Sequence, residues 1–136
     1  MNPVEAVTKI LIVDDSPLIR KYITRLLELE PDFKVCGQAE NGPSALQAIE
    51  DQRPDMVLVD ISFGGNEAGI DLMHAINARD PNLPMLAISL HEKDLYGDRV
   101  LRAGARGYLM KQEAPDQLIA AIRQILKGDL SHDGMR

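Results

Sequence analysis

Cysteine, tryptophan and basic charge are all scarce in this sequence. The single cysteine, Cys36, cannot form an internal disulfide, which fits a reducing compartment such as the cytoplasm. Lysine and arginine number 15 against 21 acidic residues, and the resulting net charge of −6 argues against non-specific binding of nucleic acid. No apolar run approaches the roughly 20 residues of a membrane span. The N-terminus lacks the basic and hydrophobic regions of a signal peptide.

The apolar residues that are present alternate between two patterns. With 136 residues, 45% of them hydrophobic, the chain can form one domain with a substantial core. Short apolar runs predict strands at 10–13, 33–39, 56–59, 85–88 and 107–110. Helical spacing predicts helices at 17–29, 43–51, 69–79, 92–103 and 115–127. Five β-α repeats of this kind predict an α/β fold, a parallel sheet covered by helices on both faces.

Polar residues with complementary chemistry follow four of the predicted strands. They are Asp14 and Asp15, Asp60, Ser89 and Lys111. Each has an ordinary explanation, such as an acid at a helix N-terminus, a capping hydroxyl or a solvated lysine; Ser16 is most simply an N-cap. The carboxyl ends of parallel strands nevertheless lie along one edge of a sheet, where sites form. We therefore expect these side chains to converge.

Three carboxylates at one edge repel one another unless a cation lies among them. Oxygen ligands of this kind suit Mg²⁺, which also accepts phosphate oxygens as ligands. A carboxylate can also act as a nucleophile toward phosphorus, and a lysine can neutralise the transferring group. The set therefore indicates magnesium-dependent phosphoryl chemistry.

The segments "VDDS", "VLVDIS", "AISLH" and "GARGYLMK" together resemble the receiver domain of two-component response regulators. The resemblance extends from about residue 9 to residue 128. The segment "LRAGARGYLMKQEAPDQLIAAIRQILKGDL" is most similar to receivers of the NarL/FixJ type. The family implies a flavodoxin-like, doubly wound (βα)5 domain with strand order 2-1-3-4-5.

The resemblance also implies a role for each residue of the acidic site. Asp60 is the expected phosphoacceptor, and Lys111 is expected to pair with Asp60 or with the phosphoryl group. Asp15, Asp60 and the backbone carbonyl of Ser62 are expected to bind Mg²⁺ directly. Asp14 is expected to act through a metal-bound water.

Two further residues form the expected switch. Ser89 is expected to move toward the phosphoryl group after transfer, and Tyr108 to change rotamer with it. His91, two residues after Ser89, is a candidate for tuning dephosphorylation, although a solvated histidine of the first helical turn is the simpler interpretation.

The resemblance implies partners and a domain division as well. We expect residues 1–130 to form the receiver and residues 131–136 to begin a linker. The phosphoryl donor is a sensor histidine kinase or a phosphotransfer protein, and phosphorylation can promote a homodimer. DNA binding would belong to a C-terminal helix-turn-helix domain outside this chain. The domain is not expected to be an enzyme beyond self-catalysed phosphotransfer and autodephosphorylation.

The sequence departs from the family pattern after the phosphoacceptor. Phe63-Gly64 replaces a common Met-Pro pair, and Gly69 comes one position late, which predicts an insertion and a flexible loop at 63–69. Two alternatives within the family stay open: a stand-alone receiver acting by protein contact, and an atypical receiver working without phosphorylation. An aspartyl phosphohydrolase would need a second acid at the position of Ser62.

Overall fold

Five strands alternate with five helices along residues 6–62, 66–89 and 93–128, which the computed structural model describes. The strands are β1 (Thr8–Val13), β2 (Phe33–Ala39), β3 (Met56–Asp60), β4 (Met85–Ser89) and β5 (Gly107–Met110). The helices are α1 (Pro17–Glu28), α2 (Gly42–Gln52), α3 (Asn66–Arg79), α4 (Lys93–Arg102) and α5 (Ala114–Leu126), and a short 3₁₀ helix (Lys111–Glu113) precedes α5. None of the helices in these ranges is long and apolar enough to cross a membrane.

All strand pairs are parallel, and their order is β2-β1-β3-β4-β5. The predicted flavodoxin-like order is therefore confirmed. The chain leaves β1 toward β2 and then crosses back to β3, so the direction of winding reverses between β1 and β3. In sheets of this kind the reversal opens a crevice at the carboxyl ends of the strands.

Alternate residues of each strand enter two hydrophobic layers, one on each face of the sheet. On one face, Val57 and Val59 of β3 pack in a cluster with residues of α2, α3 and α4. On the other face, Met56 and Leu58 pack in a cluster with residues of α1 and α5. Every residue of β3 is buried, which explains why this strand reads as a continuous apolar run up to its final acid.

Side-chain caps fix where two of the helices begin. The Ser16 hydroxyl accepts a hydrogen bond from the Ile19 amide at 3.2 Å, and Pro17 occupies the first helical turn of α1. The predicted N-cap at Ser16 is confirmed. Asn41 caps α2 in the same way, through the Ser44 amide at 2.9 Å. The acids after β1 therefore lie in a short connection whose exit direction is fixed.

The predicted flexible loop at 63–69 is wrong for residues 66–69, which form the first turn of α3. Residues 63–65 lie outside the described part of the chain. Gly69 is buried, and a Cβ atom built on it would lie 2.4 Å from the Cα atom of Ile61. The glycine is therefore explained by close packing of α3 against the backbone that follows β3.

Candidate functional site

The acidic edge of the sheet is built from residues at the ends of three strands. Asp14 directly follows β1, Asp60 ends β3, and Ser89 ends β4. All three are buried, with only 1%, 2% and 0% of their surfaces exposed. Asp15 is exposed. Buried carboxylates need compensation by hydrogen bonds or by positive charge.

Lys111 supplies the positive charge. Its Nζ atom lies 3.1 Å from Asp60 Oδ2 and 3.2 Å from Asp14 Oδ2. Lys111 begins the 3₁₀ helix after β5, and the Met110 amide donates to the Glu113 carboxylate at 2.9 Å across that turn. The turn directs the lysine toward the two acids, as expected from its position after the fifth strand.

Backbone amides bind the remaining oxygen of each buried acid. The Ser16 amide donates to Asp14 Oδ1 at 2.9 Å, and the Ser62 amide donates to Asp60 Oδ1 at 2.9 Å. Each carboxylate thus has one oxygen on the backbone and the other facing Lys111. This arrangement fixes the orientation of both carboxyl groups.

The electrostatics of the cluster remain unbalanced. Burial raises the pKa of Asp14, and the Asp60 charge adds to this rise against the opposing effects of the Ser16 amide and Lys111. Burial acts to lower the pKa of Lys111, but the Asp60 and Asp14 carboxylates outweigh it and raise that pKa overall. One ammonium therefore faces two buried carboxylates, with the Asp15 carboxylate nearby.

Two buried carboxylate oxygens share one ammonium. Among the described residues, the cation beside Asp14 Oδ2 is the Lys111 ammonium at 3.2 Å, which also lies 3.1 Å from Asp60 Oδ2. One carboxylate oxygen from each of Asp14, Asp15 and Asp60 lies within 4.8 Å of the others. Three acids with one ammonium between two of them, and an exposed side, suit a hard divalent cation that retains several waters, such as Mg²⁺.

A row of hydroxyls lies beside Asp60. The Ser62 and Ser89 Oγ atoms are 3.4 Å apart. Tyr108 is buried, and its burial raises the pKa of the phenol, while a side-chain hydrogen bond with Ser89 acts in the opposite direction. Ser89 therefore connects the neighbourhood of the acids with Tyr108. Sequence reasoning considered only the carbonyl of Ser62 and missed its hydroxyl, because no local pattern indicates a contact between two strand ends.

Arg20 was also missed by sequence reasoning. Its Nη1 atom donates to the backbone carbonyl of Asp14 at 2.6 Å, and its Nε atom donates to Gln38 Oε1 at 3.1 Å. The available signal was its spacing, because a residue four positions after the N-cap Ser16 lies one turn along the same face of the helix. His91, the other candidate, lies outside the described residues.

A groove of about 440 Å³ lies away from this site, between α2 and α3, and is lined by Leu46, Glu50, Arg79 and neighbouring residues. Its lining includes Pro54 and Leu83, which precede β3 and β4, so it opens toward the amino ends of the strands. Volume alone therefore does not identify the functional edge.

Comparison with known proteins identifies the family of the chain. Residues 10–123 match the family described as the response regulator receiver domain. The transcriptional regulatory protein DegU of Brevibacillus brevis is 37% identical over 123 residues, covering 88% of this chain and 50% of that protein. The chain thus spans about half the length of this curated relative.

Solved structures show the same fold. A two-component response regulator of the LuxR family from Aurantimonas sp. superimposes with a TM-score of 0.88 at 28% identity, covering 96% of this chain and 93% of that one. The receiver domain of the response regulator NarL from Mycobacterium tuberculosis gives a TM-score of 0.83 at 28% identity, covering 91% and 99%. The chain belongs to the response regulator receiver domains of two-component systems, and within them to the NarL/FixJ type.

Proposed function

We propose that this domain is a phosphorylation-dependent switch that accepts a phosphoryl group on Asp60 from a sensor histidine kinase or a phosphotransfer protein. The observation that carries the proposal is the buried Asp60 carboxylate, which faces Lys111 at 3.1 Å beside two further acids. The site around Asp60 combines a nucleophilic carboxylate, a cation that neutralises the incoming charge and a cluster of carboxylates suited to a metal.

The chain's own groups perform the transfer in defined roles. The Ser62 amide orients Asp60, a carboxylate oxygen of Asp60 forms the new bond to phosphorus, and the bond from phosphorus to the donor's histidine nitrogen breaks. Lys111 holds its ammonium beside the receiving carboxylate and neutralises charge on the transferring group. The product is an aspartyl phosphate.

The magnesium site belongs to the same proposal. Asp15, Asp60 and the Ser62 backbone carbonyl would bind Mg²⁺ directly, with Asp14 acting through a bound water. Bound Mg²⁺ supplies positive charge at the phosphoryl oxygens. Asp14 Oδ2 supports this assignment, because it shares one ammonium with Asp60 and could accept a further hydrogen bond from a metal-bound water.

Ser89 and Tyr108 would carry the signal away from Asp60. A phosphoryl group adds roughly −1.5 to −2 charge and strong acceptor oxygens. Ser89, whose hydroxyl now contacts Ser62, would turn toward the new acceptor, and Tyr108 would change rotamer because the two side chains share a hydrogen bond. The equilibrium between the present conformation and the phosphorylated one shifts only by the difference in free energy that these interactions make between the two.

The output of the switch is proposed from the comparisons. DegU is named as a transcriptional regulator and is about twice as long as the matched region. We infer that residues 1–130 are the receiver, that 131–136 begin a linker, and that DNA binding belongs to a further domain. Phosphorylation of Asp60 would promote a homodimer of the present protein in the cytoplasm. A stand-alone receiver acting by protein contact is the alternative.

Incubation of the chain with acetyl phosphate and MgCl₂, followed by intact mass measurement, tests the proposed chemistry. We expect one phosphoryl adduct in the wild type and none in Asp60→Asn, while the exposed control Asp51→Asn keeps the adduct. An adduct that persists in Asp60→Asn contradicts the assignment of Asp60. Absence of any adduct in the wild type would favour a receiver that works without phosphorylation.

A further inference from the structure

We propose that Arg20 is a positioning residue that fixes the peptide between Asp14 and Asp15 and thereby sets the affinity of the acidic cluster for Mg²⁺. The inference rests on the proposed function, because it concerns the metal site on which phosphoryl transfer depends. Arg20 contacts the backbone that carries the acids, so its effect on the metal would be indirect.

The first observation is the hydrogen bond between Arg20 Nη1 and the Asp14 carbonyl oxygen at 2.6 Å. A charged donor at this distance forms a strong hydrogen bond. That carbonyl belongs to the peptide unit joining Asp14 to Asp15. Because a peptide unit is planar and rigid, fixing its oxygen also fixes the direction in which the Asp15 Cα atom leaves it.

The second observation is that the guanidinium is itself held in place. Its Nε atom donates to Gln38 Oε1 at 3.1 Å, and the Gln38 amide group reaches Thr24 Oγ1 at 3.4 Å. Gln38 lies on β2 opposite Ile12 of β1. With two of its nitrogens bonded to different elements, the planar fork has one orientation, which the single ammonium of a lysine cannot reproduce.

The third observation is the position of the bonded peptide in the sheet. The preceding peptide is bonded as well, because the Asp14 amide donates to the Ala39 carbonyl at 3.0 Å and extends the pairing of β1 with β2. The Asp14 backbone is therefore bonded to β2 through its amide and to α1, through Arg20, at its carbonyl. This double attachment fixes where the first two acids lie relative to Asp60.

Charge alone predicts the opposite effect on metal binding. A guanidinium bonded to the Asp14 carbonyl adds positive charge at the end of β1 that repels an incoming cation, so its removal would strengthen Mg²⁺ binding. If Arg20 acts by positioning, its removal weakens Mg²⁺ binding despite the more negative site. The sign of the change separates the two explanations.

The test compares Arg20→Met with Lys21→Met in the full chain. Lys21 is the exposed neighbour on α1, so the control removes the same charge from the adjacent position. MgCl₂ is titrated into ¹⁵N-labelled protein, and the Ser16 and Ser62 amides, which bond Asp14 and Asp60, report the dissociation constant. Thermal unfolding without Mg²⁺ is measured separately for each variant.

We expect the Mg²⁺ dissociation constant to rise about tenfold in Arg20→Met, the usual effect of losing a group that orients a metal ligand. Lys21→Met should bind Mg²⁺ at least as tightly as the wild type. Unchanged or tighter binding by Arg20→Met overturns the inference. So does a lower melting temperature with an unchanged dissociation constant, because Arg20 would then serve stability alone.

Two milder variants carry the test if Arg20→Met does not fold. Gln38→Ala removes one acceptor of the guanidinium but keeps its charge, and Arg20→Lys keeps the charge but not the fork. Both should weaken Mg²⁺ binding, and wild-type affinity in both overturns the inference. A wild-type chain that fails to bind Mg²⁺ is a different outcome, because it contradicts the proposed function itself.

Discussion

At the scale of single residues, the site depends on an imbalance between two buried carboxylates and one ammonium. Lys111 lies within 3.2 Å of an oxygen of Asp14 and 3.1 Å of one of Asp60. The pKa shifts agree with this imbalance, since burial and the Asp60 charge raise the pKa of Asp14, while the two acids raise the pKa of Lys111 against its own burial. The lysine thus pairs with both buried acids.

Replacing Lys111 by Met should destabilise the metal-free chain by roughly 3 kcal/mol, because two buried carboxylates lose their only close cation among the described residues. Addition of Mg²⁺ should then stabilise the variant more than the wild type, because the metal no longer competes with the lysine. Urea unfolding with and without MgCl₂ measures both effects.

The exposed Lys127→Met is the matched control, since the same change far from the acids should leave stability and its response to Mg²⁺ unaltered. A loss of stability in Lys111→Met that Mg²⁺ does not reduce would show that the lysine contributes packing and not charge.

At the scale of elements, the approach of α3 to the backbone after β3 determines the wall of the site next to Asp60. Gly69 faces Ile61 so closely that a Cβ atom would lie 2.4 Å from the Ile61 Cα atom. Such a contact cannot be relieved by rotating a side chain, since the obstructing atoms belong to the backbone. The helix itself would have to move.

Gly69→Ala should therefore destabilise the chain by about 2 kcal/mol, an overpacking cost that exceeds the roughly 1 kcal/mol gain in helix propensity. Gly42→Ala is the control, because its Cβ atom would lie 3.9 Å from Leu72 Cδ1, an ordinary contact. Chemical denaturation of the two variants beside the wild type gives the comparison. Equal stability of Gly69→Ala and the wild type would contradict the close approach.

At the scale of the whole molecule, Arg123 joins parts of the chain that are 91 and 93 residues apart. Its guanidinium on α5 bonds Asp32 at 2.9 and 3.1 Å and Glu30 at 2.8 Å, in the connection between α1 and β2. The same group lies 4.5 Å from the centre of the Phe33 ring. One side chain thus links the last helix with the beginning of an edge strand.

Arg123→Met should lower the melting temperature at neutral pH and have less effect in acid. The hydrogen bonds from Arg123 hold the pKa of Asp32 below its ordinary value of 3.8 in the folded state. A depressed pKa contributes stability above the unfolded value, and this contribution is lost as the pH falls through the folded value. The difference in melting temperature should therefore shrink below pH 3.8.

Thermal unfolding of the two proteins across this range measures the difference, with the exposed Arg25→Met as control for loss of a surface charge. Part of the difference should survive in acid, because the contact with the Phe33 ring does not depend on the Asp32 charge. A difference that stays constant with pH would assign the whole effect of Arg123 to that contact.

The parallel α/β architecture and the edge that carries the acids followed from the residue pattern of the sequence, whereas the strand order followed from the resemblance to receiver domains. Short apolar runs alternating with helical spacing fit few arrangements other than a parallel sheet covered on both faces, and parallel strands bring their carboxyl ends to one edge. The positions of Asp60, Ser89 and Lys111 at the ends of three runs were therefore informative. The N-cap at Ser16 was equally local, because its hydroxyl bonds an amide three residues away.

Contacts between distant segments were decided only by the tertiary structure. The hydroxyl contact of Ser62 with Ser89, the bond from Arg20 to the Asp14 carbonyl and the close approach of Gly69 to Ile61 depend on distances that packing sets to within an ångström. The prediction of a loop at residues 66–69 was wrong for this reason. The sequence shows only that a glycine is present, and a glycine that permits close packing cannot be told from one that permits a turn. Sequence periodicity specifies which face a residue occupies, whereas side-chain contacts depend on how the faces fit together.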